Sequence, residues 1–133
     1  MSLYYADTSA VIKLLAEESH SRAFAAFYDA HADMEWVSSA LLRIEVTRAV
    51  TRAMPAVLPD ARDLLSAFSY IGMDDEVVEG AMNEPDSGLR SLDAIHLATA
   101  RILREDLAAI VSYDDRLLKA AADAGLGTES PRD

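Results

Sequence analysis

The sequence contains no cysteine. Disulfides, thiolate-held zinc and a cysteine nucleophile are therefore excluded. No apolar run approaches the ~20 residues that a transmembrane helix needs. The N-terminus lacks the basic and apolar regions of a signal peptide. The expectation is a soluble cytoplasmic protein with no membrane partner. Basic residues are scarce as well: 12 Lys and Arg stand against 23 Asp and Glu, for a net charge of −11. The basic footprint of a nucleic-acid binder is missing. Either the chain does not hold nucleic acid tightly, or cations or a basic partner neutralise part of its charge. Repeats, linkers and low-complexity segments are absent too.

What is present is a chain that can fold without a staple. The hydrophobic share is 51%, which excludes a disordered segment. Its 133 residues argue for a single domain over residues 1–133. A domain of that length buries roughly two-thirds of its unfolded surface. Short apolar runs at Leu3–Ala6, Met34–Ser39, Tyr70–Met73 and Leu107–Ser112 read as strands. Between them lie helical patterns. One opens at Asp7-Thr8-Ser9 and runs to about Ala16, and others span Ser19–Ala32, Ala40–Met54 and Asp60–Phe68. A further helix starts near Glu76, one covers Leu89–Glu105, and one from Asp114 is closed by Gly125. The tail after Gly127 can add an edge strand. Strands alternating with helices predict an α/β domain whose mainly parallel sheet, of four or five strands, is covered on both faces.

In such sheets ligands sit beyond the carboxyl ends of the strands. Asp7 follows the first strand and Asp114 the last long one, so parallel strands bring both to one sheet edge. Glu45, in LLRIEVTRAV, and Asp93, in SLDAIHLATA, interrupt apolar helix patterns. Each acid also has an ordinary explanation. Asp7 and Asp114 can be helix N-caps worth ~1 kcal/mol each. Asp93 can favour the helix dipole, and Glu45 can pair with Arg48 or Arg43. Alternatively Thr8 or Ser9 caps the first helix and leaves the Asp7 carboxylate free. The ordinary readings explain the set of four less well than its members. If the four converge, each close pair repels by roughly 4 kcal/mol at an effective dielectric of about 20. Such a cluster has to take up protons or bind cations. Oxygen-only ligands select Mg²⁺ or Mn²⁺. His96, one helical turn beyond Asp93, reads as a buried, hydrogen-bonded ring rather than a metal ligand.

Four stretches, YYADTSAVIKLL, SSALLRIEVTRAVTR, LRSLDAIHLATA and IVSYDDRLLKAAADAGL, resemble in order and spacing the motifs of PIN-domain ribonucleases, most closely the VapC-type toxins. The resemblance runs from about Tyr5 to Gly127. It implies a three-layer α/β/α fold and Mg²⁺- or Mn²⁺-dependent endonucleolytic cleavage of RNA by water activated at the metal. It further implies a homodimer, and inhibition by a cognate antitoxin with a basic segment. Asp7, Glu45, Asp93 and Asp114 match the family's four acids, with Asp7 and Asp93 the main metal ligands. Glu45 and Asp114 would act directly or through water. Ser9, or Thr8 beside it, matches the hydroxyl that positions the site, and Asp115 is a second cap or an outer-shell group. The acidic segment 73–88 matches no motif and is expected near the substrate side. Two other classes compete with this reading. One is phosphoryl transfer through an aspartyl phosphate, for which Asp7 lacks the paired acid such sites use. The other is a non-catalytic binding module with Arg43, Arg48 and Arg52 as its contact face.

Overall fold

In the computed structural model, which describes residues 2–133, five strands form one sheet. They are β1 (Leu3–Ala6), β2 (Glu35–Ser39), β3 (Ser69–Ile71), β4 (Leu107–Val111) and β5 (Thr128–Glu129). Their order is β3-β2-β1-β4-β5, and every neighbouring pair is parallel. The helices are α1 (Thr8–Lys13), α2 (Ser21–Ala30), α3 (Leu41–Ala53), α4 (Leu58–Ser66), α5 (Asp75–Met82), α6 (Ser91–Ile102) and α7 (Asp115–Asp123).

Side chains alternate across a strand, and this divides the core in two. Ala6 of β1 and Trp36 of β2 pack with Val11, Phe24, Leu42, Val46 and Leu65. Tyr5 of β1 and Ile110 of β4 pack with Leu97, Ala100, Leu117 and Ala121. Helices α1 to α4 therefore cover one face, and α6 and α7 the other, with α5 packed along α6. The expected three-layer α/β/α arrangement is present.

Several element ends differ from expectation. The first helix stops at Lys13, not Ala16. The Lys13 ammonium turns to Glu18 at 3.0 Å, across the loop that comes next. The helix expected from Leu89 starts at Ser91, because Arg90 is extended (φ −64°, ψ 152°). Pro55–Val57 forms a 3₁₀ turn ahead of α4, with Pro55 supplying the fixed φ of its first position. Helix α7 closes as expected on Gly125, whose φ is +83°. Leu126 N–H reaches the Ala121 carbonyl, and Gly125 N–H the Ala122 carbonyl, which is a Schellman closure.

The register of β1 with β4 sets which residues leave the carboxyl edge of the sheet together. Ala6 lies opposite Val111, and Asp7 N–H donates to the Val111 carbonyl at 3.3 Å. Asp7 and Ser112 thus leave the sheet side by side at its carboxyl edge.

Candidate active site

Asp7 is buried, with 3% of its surface exposed. Its Oδ1 accepts the Ala10 N–H (3.0 Å) and the Ser9 hydroxyl (2.7 Å), and its Oδ2 accepts the Ser112 hydroxyl (2.7 Å). The carboxylate is therefore itself the N-cap of α1. This corrects the expectation that Thr8 or Ser9 would take that role. Asp7 is extended (φ −89°, ψ 179°), the backbone of an N-cap residue. Thr8 instead turns its hydroxyl to Glu45 Oε1 at 2.7 Å. Ser9 accepts the Tyr113 N–H at 2.9 Å, and Ser112 accepts the Asp114 N–H at 3.0 Å. Burial pushes the Asp7 carboxyl above its ordinary range, and the hydrogen bonds from Ser112, Ser9 and Ala10 only partly offset it.

Glu45 reaches the same place from α3. Its Oε1 accepts from Thr8 and also from His96 Nε2, at 2.8 Å. His96 is buried as expected, at 1% exposure. Its other nitrogen meets the Tyr5 hydroxyl at 2.6 Å, and that hydroxyl accepts the Ser39 N–H at 3.2 Å. The ring is thus held on one nitrogen by the Tyr5 hydroxyl and on the other by the Glu45 carboxylate. Burial alone would raise the Glu45 carboxyl. The hydrogen bonds from His96 and Thr8, with the Arg90 charge, outweigh it and hold the group below its ordinary range.

Asp93 stands in the first turn of α6 and is 8% exposed. Its Oδ2 accepts from Arg90 Nε at 3.1 Å and lies at ion-pair distance, also 3.1 Å, from Nη2. Burial first, and then the nearby Asp114 charge, raise its carboxyl, while Arg90 pulls the other way. Asp114 caps α7, its Oδ1 accepting the N–H groups of Arg116 (3.0 Å) and Leu117 (3.1 Å). Its Oδ2 accepts from Arg90 Nη2 at 3.0 Å. Asp115 lies outside this group. Its side chain is 92% exposed and stands 3.8 Å from Arg132.

Asp7, Thr8, Ser9, Glu45, Arg90, Asp93, His96 and Asp114 line one cleft of about 260 Å³. A larger groove lies between α1 and α2, lined by residues such as Lys13, Glu18, Arg22 and Asp133, and gathers no comparable set. Among the described residues, no three acidic or imidazole groups are drawn into a closed coordination shell. Arg90 stands between Asp93 and Asp114 instead. The donor chemistry nevertheless fits a hard cation. Among the described residues, Asp93 Oδ1 and Glu45 Oε2 accept no hydrogen bond, and Asp7 Oδ2 accepts only one. Each of these oxygens has lone pairs to give, and oxygen-only sets suit Mg²⁺ or Mn²⁺. Both oxygens of Asp114 are engaged.

An acid just beyond each of two central strands, with two more acids delivered by facing helices, defines a carboxylate-lined cleft on a parallel α/β sheet. The chain matches the PIN domain over residues 4–123 and belongs to that family. Within the family it is of the VapC type. It is 37% identical over 131 residues to Ribonuclease VapC35 of Mycobacterium tuberculosis, covering 97% of both chains. It is 36% identical over 132 residues to Ribonuclease VapC47 of the same organism, again over 97% of both. A toxin–antitoxin complex from Klebsiella pneumoniae has a similar fold, with TM-score 0.74, 21% identity, and 100% of this chain and 99% of that one covered. So does FitAcB from Neisseria gonorrhoeae, with TM-score 0.73, 17% identity, and 96% and 97% covered.

Ser112, Arg90 and Tyr5 escape the sequence reading. Ser112 carries one signal: it follows its strand as Asp7 follows the neighbouring one. Arg90 stands three residues before Asp93, a spacing that pairs charges at a helix start. Nothing local marks Tyr5, because its partner His96 is 91 positions away.

Proposed function

We propose that the chain is an endoribonuclease and the toxin of a toxin–antitoxin pair, with its reaction at the cleft of Asp7, Glu45, Asp93 and Asp114. The observation that carries this is the convergence of four acids, from four separate segments of chain, around oxygens that accept no full set of hydrogen bonds. The names of the VapC relatives support the ribonuclease part. Asp7, Asp93 and Glu45 would hold Mg²⁺ or Mn²⁺, with Asp114 acting through water. When bound, the cation supplies a Lewis acid for the phosphoryl oxygen and an activated water for phosphodiester hydrolysis.

The chain's own groups do the rest. Ser9 and Ser112 fix the Asp7 carboxylate. Thr8 and His96 fix Glu45 by one oxygen and leave the other for the cleft. Tyr5 fixes the ring. A net charge of −11 repels RNA and suits a cognate antitoxin with a basic segment. We further infer a homodimer. Ile44, Met73, Val78 and Met82 are exposed around adjoining grooves that share Met73, a surface that suits a protein partner.

Expression in a bacterial host tests the toxin reading. Wild-type protein should arrest growth, co-expression of the neighbouring open reading frame should restore it, and Asp93→Asn should be harmless at equal expression. Equal arrest by wild type and Asp93→Asn would overturn the role of the cleft.

A further inference from the structure

Arg90 is the one Lys or Arg side chain that lines the acidic cleft among the described residues. Its side chain is 76% exposed, while the Asp93 and Asp114 side chains it grips are 11% and 24% exposed. The guanidinium therefore sits at the mouth, with the carboxylates behind it. Nε and Nη2 make all its contacts with the two acids. Nη1 has no partner among the described residues, so at least its two N–H groups remain unspent. The residue's backbone is spoken for, because its carbonyl accepts the Ala94 N–H at 2.9 Å and starts α6. Its side chain makes no cap hydrogen bond to the helix. The arm is thus anchored at its root and free to swing at its tip.

We propose that Arg90 is a phosphate-positioning residue held in reserve on the acids: it is their counterion in the metal-free protein and passes to the RNA phosphodiester once a divalent cation takes over that charge. This rests on the nuclease reading above. Three physical points support it. The Arg90 end of the pair is 76% exposed, so water screens it, and a divalent cation with twice the charge competes for the carboxylates behind it. The cation and Arg90 answer the same negative charge on Asp93 and Asp114, so each disfavours the other there. A planar guanidinium matches phosphate oxygens in a bidentate fork, which a point charge cannot do. In a chain of net charge −11 the cleft mouth needs such a group to receive an anion.

The proposal makes two effects run in opposite directions. Arg90→Gln should bind Mn²⁺ roughly two- to fivefold more tightly in calorimetric titration without RNA. At saturating Mn²⁺ its kcat/KM for single-stranded RNA should fall about tenfold or more, the loss of hydrogen bonds to a charged group. Arg90→Lys restores the charge but not the fork, so its Mn²⁺ affinity should match wild type while its kcat/KM stays reduced. A residue that only supports the fold, or only orients the metal ligands, would weaken both quantities in Arg90→Gln. Any result other than tighter Mn²⁺ binding together with lower kcat/KM overturns the proposal. If wild type binds Mn²⁺ and cleaves RNA, such a result removes this inference alone. If wild type does neither, the nuclease reading falls and takes this one with it.

Discussion

At the scale of single residues, the site shows how one side chain can serve two ends. Asp7 caps α1 with one oxygen and keeps lone-pair capacity on the other. His96 is supported on both sides, by Tyr5 and Glu45. His96→Ala would open a cavity and leave two polar groups short of a partner. It should lower unfolding stability by roughly 2–4 kcal/mol in denaturant titration. A loss under about 1 kcal/mol would contradict the buried relay. The carboxyls add a pH dependence. Burial holds Asp7 and Asp93 above their ordinary range. The native state therefore keeps their protons to higher pH than the unfolded chain does. Their effect on the metal-free protein is a loss of stability as pH rises from the ordinary carboxylate range through the raised values, complete above them. Glu45 is lowered, so its contribution is present above its ordinary range and is lost as pH falls through the native value. If the cleft holds a divalent cation as proposed, protons would compete with it for Asp7 and Asp93. At neutral pH, cation at 100 times its Kd should stabilise the protein by ~2.7 kcal/mol. That is a melting rise of roughly 3–5 °C per kcal/mol for a chain of this size. The rise should shrink as pH falls into the raised range of Asp7 and Asp93, and a rise that is equal or larger there would count against the assignment.

At the scale of elements, each strand and helix pattern is legible in the sequence because the apolar runs are short and bounded. Val, Ile and Tyr recur in the strands, and acids or hydroxyls begin α1, α2, α5, α6 and α7. The ends are less legible. Helix α6 starts at Ser91 because Arg90 is extended, a backbone choice that no local residue type dictates. Pro55 signals a stop in the sequence, but not the 3₁₀ turn that Pro55–Val57 forms. Gly125 is legible as a helix end, and its φ of +83° explains why a glycine is there. Gly125→Ala should cost about 1–2 kcal/mol through the left-handed backbone, measured by thermal or chemical unfolding. No atom stands within 4 Å of where the added Cβ would lie, so the cost is conformational and not a clash. A neutral or stabilising substitution would show that the Schellman closure is unimportant.

At the scale of the whole molecule, the four acids are legible as a set because two follow strands and two break apolar helix faces. Ser112, Arg90 and Tyr5 are not, since their roles exist only after β1 and β4 pair in register and α6 packs on the sheet. The segment 73–88 proves to hold α5, packed along α6, and an exposed apolar edge at Met73, Val78 and Met82. With Ile44, that edge should bury a second copy. Sedimentation of the isolated protein should give twice its 14.4 kDa mass, and Ile44→Glu should shift it toward monomer. A monomeric wild type would contradict the assembly. On the proposed reading, a charge of −11 would leave RNA binding dependent on cations at the cleft. A cleavage assay with purified protein on single-stranded RNA, in Mn²⁺ or Mg²⁺ and in excess EDTA, tests the proposed role of the cleft. Wild type should cleave only with the divalent cation, and Asp7→Asn and Asp93→Asn should each be slower by ~10² or more. Cleavage that survives EDTA, or that proceeds equally in all three proteins, would contradict the account.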